Sequence, residues 1–326
     1  MRLLTFLLLV FNSALAADTV AKAFTTAPLV RQGKFSLWHD PGPVAAIDFR
    51  YGVGGAELVP KPPFRFVDED LSGTDSKIKV KDANDRSWVV KLGHESRPDT
   101  FCTRLAWAVG YYVEPNYNVA QGVIEGVKDL RRAKKDVDPE GRFQNGRFQL
   151  RAGSPKYLRS VDWSWDENPF LGTPELGGLK VLMMLLSNWD NKDNRDAESR
   201  GSNTAIFQQD DLLIYFIEDW GGAMGNWGKY LTRSKWNSKS FLRQSSDFAR
   251  IENGQIRWGY TGQHTELLKR DIRPTDVTWL LKYLGQVTDD QLRTGLLSSG
   301  ASEEETRDYV QALRVRIQQL QQIAAR

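Results

Sequence analysis

The stretch LSNWDNKDNRD, Leu186 to Asp196, sets three Asp and three Asn within the nine positions from Asn188 to Asp196. It follows TPELGGLKVLMMLLSN, the most apolar run outside the N-terminus, whose length and continuity read as a buried helix. A polar loop leaving a buried helix is either a solvated turn or a place where carboxylates and carboxamides are set for chemistry. The downstream sequence bears on the choice. In NTAIFQQDDLLIYFIEDWGGAMG, Asn203 leads two β-like runs, Thr204 to Phe207 and Leu212 to Ile217, joined by a polar turn. The second run leads into Asp219-Trp220-Gly221, and Gly225 follows four residues beyond Gly221.

Upstream, FRFVDEDLSGTDSKIKVKDANDRSWVVKLG reads as a hairpin approached through a Gly-containing turn. Ile78 to Lys81 alternates, DANDR turns, and Trp88 to Lys91 is a second β-like run. DTFCTRLAWAVGYY then reads as a helix, with Asp99 or Thr100 available as N-cap and Gly110 as its stop. YNVAQGVI and RFQLRAG are further β-like runs. Beyond residue 226 the chain reads as mainly helical, closing on SEEETRDYVQALRVRIQQLQQIAA, which opens with a capping box at Ser302 and Glu305. Strands first and helices second predict an α+β fold of two lobes, residues 61–160 rich in strand and 161–326 mainly helical.

The first sixteen residues, MRLLTFLLLVFNSALA, have the charged start, short apolar core and Ala-x-Ala ending of a secretory signal peptide. Export is therefore expected, to the periplasm or beyond, followed by an N-terminal arm over residues 17–60 that is rich in Gly and Pro. No later stretch approaches ~20 uncharged residues, so no membrane span is expected. The lone cysteine, Cys102, excludes an intramolecular disulfide, and eleven Trp, ten Tyr and fifteen Phe argue for a large packed core. A net charge of +3 gives no support to a nucleic-acid partner, and the basic run from Lys128 to Lys135 is interleaved and followed by acids. His39, His94 and His264 are far apart, with no zinc-ligand spacing. Asp190, Lys192, Asn194 and Asp196 alternate like a calcium loop, but a cation stands at one ligand position and the required Gly and Glu are missing.

Taken singly, Gly73 is a turn glycine, Lys91 a snorkelling strand-end lysine and Asp219 a β-turn aspartate. Their order along the chain is more specific. A glycine-bearing hairpin lets backbone N–H groups approach phosphate, a strand lysine neutralises it, an Asp deprotonates a hydroxyl, and an Asn with a second Asp holds a metal. DWGGAMG resembles the Asp-x-Gly-x-x-x-Gly of phosphatidylinositol-kinase-like and secretory-pathway casein-kinase proteins. SGTDSK followed by VVK resembles the nucleotide-binding hairpin of the secreted kinases, and NWD followed by NTAIF resembles the loop and strand of HipA-type kinases. Over residues 64–226 the chain thus resembles the atypical branch of the protein-kinase-like superfamily, including a group of exported bacterial kinase-like proteins.

That resemblance implies a two-lobed kinase-like fold using ATP and Mg²⁺ or Mn²⁺. It implies Asp190 as the catalytic residue, Gly73, Lys77 and Lys91 as phosphate contacts, and Asn203 and Asp219 as metal ligands. Asn194 competes with Asn203, because kinase loops place the metal Asn five positions after the catalytic Asp and Arg195 stands there. Glu95 is the nearest acid to pair with Lys91, with Glu114 and Glu125 as alternatives. The acceptor would be a hydroxyl of a protein, sugar or lipid. A pseudokinase or other non-catalytic binding module is the alternative reading.

Overall fold

The computed structural model describes residues 34–71, 75–93, 95–151, the backbone of 156 and 157, and 162–325. The expected signal peptide, the first half of the arm and Gly73 lie outside the described residues. No described helix is long and apolar enough to cross a membrane.

The arm's described part opens with β1, Lys34–Ser36, and leads into a five-stranded closed barrel of order β2-β3-β4-β6-β5. Its strands are β2 (Phe64–Asp70), β3 (Lys77–Lys81), β4 (Ser87–Leu92), β5 (Asn116–Glu125) and β6 (Arg142–Leu150). The alternation in KIKVK and SWVVKL sends Ile78, Val80, Trp88, Val90 and Leu92 into the barrel, where they meet Phe64, Tyr117, Phe143 and Phe148. Closure comes from a short parallel pairing of β2 with β5, Phe64 opposite Ile124 and Arg65 opposite Glu125. The opposite face is polar. Lys77 stands opposite Lys91, and Lys91 opposite Arg147, so these three basic residues form a row across the outside of the sheet.

Between β4 and β5 runs helix α1, Ser96–Ala108. It begins three residues before the sequence-based N-cap, because Pro98 is accommodated in a first helical turn. The shift puts Asp99 inside the helix, where it is fully buried beside the basic row.

The second lobe holds a four-stranded sheet of order β1-β9-β8-β7, with β7 at Lys156–Tyr157, β8 at Thr204–Gln209 and β9 at Leu212–Ile217. The described part of the arm packs into this lobe: β1 pairs in parallel with β9, and Leu37, Val44 and Phe49 belong to the main core. Helix α2, Pro174–Leu185, is buried nearly all round, capped by Thr173 accepting from Leu176 N and opened by Pro174. A short α3, Ala197–Arg200, precedes β8. Then follow α4 (Ser238–Ser245), the hairpin β10–β11 (Ala249–Glu252 and Gln255–Trp258), α5 (Thr265–Lys269), α6 (Pro274–Leu284), α7 (Asp289–Ser298) and α8 (Glu303–Ala324). The hairpin departs from the mainly helical expectation. Its turn is Asn253-Gly254, both at positive φ, the pairing that matches strand twist in a two-residue loop.

The expected capping box is formed, Glu305 N donating to Ser302 Oγ at 3.1 Å and Ser302 N to Glu305 Oε2 at 2.8 Å. One turn of α8 also fixes the loop that matters. The buried Arg316 donates to Leu185 O at 2.5 Å and Ser187 Oγ at 2.8 Å, satisfying the C-terminal end of α2 where LSNWDNKDNRD begins. The residues of this loop therefore leave a clamped helix end, with Ser187 at φ +55°.

Candidate active site

Asn188 is the hinge between the loop and the Asp219 turn. It is fully buried, its Oδ1 accepts from Asp190 N at 3.3 Å, and its Nδ2 donates to Asp219 O at 3.3 Å. The glycines behind Asp219 are demanded by the same closeness. A Cβ on Gly222 would lie 2.6 Å from Asp190 Cβ, and one on Gly221 would lie 2.5 Å from Glu95 Oε2. Asp190, Glu95 and Asp219 are therefore gathered around one Asp-Trp-Gly-Gly turn.

Lys91 reaches that turn from the barrel. Its Nζ lies 2.7 Å from Glu95 Oε2, 3.0 Å from Asp219 Oδ2, 3.1 Å from Asp99 Oδ2 and 3.5 Å from Asp75 Oδ2. Arg147 Nη1 stands 3.5 Å from Asp99, and Lys235 Nζ pairs with the other oxygen of Glu95. Asp99 Oδ1 also accepts from Trp220 N at 2.6 Å, and Asp219 Oδ1 from Gly221 N at 2.7 Å. Four carboxylates thus face three cations, which leaves the cluster one negative charge in excess. Burial alone would raise the Asp219 carboxyl, but Lys91 and Arg147 overcome it and hold Asp219 well below the usual carboxylate range. Burial would likewise lower the Lys91 ammonium, and Asp219 with Asp99 hold it well above its ordinary value.

Of the sequence-based candidates, Lys91 contacts both Glu95 and Asp219, and Asp190 lies behind the same turn. Asn203 is brought to Asp190, donating from Nδ2 to its backbone carbonyl, and not to Asp219. Asn194 is exposed and lines a separate cavity of about 520 Å³ with Ser164, Asp166, Glu167 and Arg195. Between the two asparagines, Asn203 is the one beside Asp190. Lys77 lies on the Lys91 face of the sheet, half-buried. Glu125 is exposed at the barrel's closing edge, and so is not the partner of Lys91.

Glu114 is not that partner either, since it contacts Gln149 and lies 3.3 Å from Arg151. Burial, with a contribution from Glu218, pushes its carboxyl up to about 7 from 4.5. A carboxyl raised in the folded state stabilises below its unfolded value and loses that contribution as pH rises through the folded one. Glu114→Gln is therefore expected to be neutral near pH 4 and stabilising by about 1–3 kcal/mol at pH 8, read by urea unfolding at both.

Asp75, Asp99, Asn188, Arg147, Lys235 and Gln263 complete the site without having been singled out for it in sequence. Gln263 Nε2 donates to Asp190 Oδ1 at 2.6 Å, while Lys192 Nζ lies 3.6 Å from Asp190 Oδ2. One oxygen from each of Asp75, Glu95 and Asp219 lies within 4.8 Å of the others, a donor set of hard oxygens suited to Mg²⁺ or Mn²⁺. A second group, Asp193, Asp196 and His264, has the same closeness, and cations already stand on both groups: Arg195 on Asp193 in this one, Lys91 and Lys235 in the first.

A strand lysine meeting a helix acid and a post-strand aspartate, where a β lobe joins a helical one, is the arrangement of the protein-kinase-like fold. No protein-family profile matches the chain, and no curated protein does. Solved kinase structures are similar to it. The proinflammatory kinase CtkA of Helicobacter pylori matches with a TM-score of 0.49 and 10% identity, over 82% of this chain and 98% of that one. The Golgi casein kinase matches with a TM-score of 0.41 and 12% identity, over 82% of this chain and 73% of that one. The same kinase with Mn and ADP bound gives 0.41 and 12%, over 82% and 72%. Nothing about activity passes to this chain at such identities.

Proposed function

We propose that this is an exported kinase-like phosphotransferase that moves the γ-phosphoryl group of ATP to a hydroxyl acceptor. The observation that carries the reading is the contact of Lys91 with Asp219 and Glu95, since a buried strand lysine set against these acids is what phosphate positioning requires. Export is part of the proposal on the strength of the tripartite N-terminus.

Asp219, with Asp75 and Glu95, would hold Mg²⁺ or Mn²⁺, which when bound neutralises charge on the transferring phosphates. Lys91 and Lys235 supply positive charge to phosphate oxygens from two sides of Glu95. Asp190 accepts the acceptor's hydroxyl proton as that oxygen bonds to the γ-phosphorus and the bond to the departing ADP oxygen breaks, and the proton then passes to solvent. Burial raises the Asp190 carboxyl while Lys192 opposes the rise, which moves its proton affinity toward that of a working base. Asn203 holds the Asp190 backbone.

A protein purified without its first sixteen residues is expected to form ADP and a phosphorylated acceptor, itself included, with ATP and Mn²⁺. Asp190→Ala should remove transfer, Asn203→Ala should lower it by about 10- to 100-fold, and Asn194→Ala should leave it unchanged. Transfer that persists in Asp190→Ala would sink the assignment. A second reading, a non-catalytic pseudokinase or binding module, draws on one observation. The Lys91 ammonium already has four carboxylate neighbours, so its role could be fulfilled by the fold alone.

A further inference from the structure

The segment from Tyr260 to His264 lies outside the stretch that resembles kinases, yet it binds the Asp190 loop along its length. Tyr260 OH donates to Asn188 O at 2.6 Å and accepts from Asn191 Nδ2 at 2.8 Å. Gln263 N donates to Trp189 O at 2.8 Å, and His264 Nε2 lies 2.6 Å from Asp196 Oδ2. Gly262 makes this approach possible, because a Cβ there would lie 2.8 Å from the Trp189 backbone. Within the segment, Gln263 reaches the reacting group itself, Nε2 to Asp190 Oδ1 at 2.6 Å.

We propose that Gln263 is a positioning residue for Asp190: its amide holds Oδ1 and leaves Oδ2 as the oxygen that takes the acceptor's proton. The inference rests on the phosphotransferase reading, with Asp190 as base. A carboxylate turns freely about its last bond unless one oxygen is held, and a base must meet the hydroxyl within hydrogen-bond reach at the moment of transfer. The backbone of Asp190 is already fixed by Asn188 and Asn203, and Gln263 adds a close hydrogen bond to the side chain, on the oxygen opposite the one that faces Lys192 at 3.6 Å. Lys192, Arg233 and Asp219 are charges that act on Asp190, and Gln263 adds a neutral donor among them.

The test compares Gln263→Met, which keeps the length and loses the donor, and Gln263→Glu with the unaltered chain. Transfer with Mn²⁺ and ATP should fall about 10- to 100-fold in kcat in Gln263→Met, with KM for ATP unchanged and the acidic limb of the pH profile moved to higher pH. Gln263→Glu should move that limb further, since a like charge disfavours ionised Asp190. An unchanged kcat and limb in Gln263→Met, beside an inactive Asp190→Ala, would overturn the positioning role and leave the phosphotransferase reading standing. Carbon-13 titration of the Asp190 carboxyl reads the same contact without activity: a raised midpoint in Gln263→Met supports the role, and an unmoved one overturns it. Transfer that survives Asp190→Ala overturns Asp190 as the base, and the absence of transfer by the unaltered chain fails the phosphotransferase reading itself.

Discussion

Asp219→Ala is expected to bind ATP with Mg²⁺ or Mn²⁺ at least about 100-fold more weakly than the unaltered protein, a loss of roughly 2.7 kcal/mol. The metal dependence of whatever binding remains should disappear as well. Asp219, like Glu95 and Asp75, contacts Lys91 and belongs to the trio that can hold a cation, and of the three it is the one on the Asp-Trp-Gly turn. Its removal takes a hard ligand from the metal and unfastens the lysine from the turn that carries it. The fold should survive, because Glu95, Asp99 and Asp75 still neutralise Lys91 and the Gly221 N–H left without Asp219 costs only about 1 kcal/mol or somewhat more. Calorimetric titration with nucleotide, with and without Mn²⁺, measures the first effect, and thermal unfolding checks the second. Metal-dependent binding of undiminished affinity in Asp219→Ala would remove the metal assignment.

The features legible in sequence are those settled within a few residues of themselves. The apolar run of α2, the capping box of α8, and the alternation of β3 and β4 each follow from local periodicity, and each is present. The order of lysine strand, polar loop and Asp-Trp-Gly turn was legible for the same reason, and it brings Lys91, Asp190 and Asp219 to one place. What escaped was made by contacts across the chain. Asp99 reads as a cap when the helix is started at the apolar run, although the Pro98 that precedes it is a first-turn residue. Arg147 alternates with Phe148 on β6 and could have been placed on the outer face, but only the register with Lys91 gives it a role. Lys235 and Gln263 sit in loops whose sequence carries no period, and each acts through one side chain aimed at a residue more than seventy positions away. The Asn253-Gly254 turn is a hairpin signal whose two strands are short and flanked by sequence that reads as helix.

Lys91→Met should destabilise the protein by about 3–5 kcal/mol, because withdrawing one member of a buried ion cluster strands the others in a medium that cannot solvate them. The pH dependence identifies the cause. In the unaltered chain the depressed Asp219 carboxyl stabilises above its ordinary 3.8 and loses that contribution as pH falls, while the raised Lys91 ammonium stabilises below its ordinary 10.5 and loses it as pH rises. Without the lysine, burial raises the stranded carboxyls, so the variant should regain stability as pH falls toward about 5 and the groups take up protons. Urea unfolding from pH 5 to pH 8 measures this, and a deficit that does not narrow at low pH would refute electrostatic stranding. The same variant also divides the enzyme from the pseudokinase. Neutralising Asp99 beside it, as Lys91→Met with Asp99→Asn, removes one positive and one negative charge, leaves the metal-holding trio intact and should restore part of the stability. An enzyme that needs the ammonium on phosphate stays inactive in that double variant, whereas a fold that keeps Lys91 only to balance its acids binds its ligand as before.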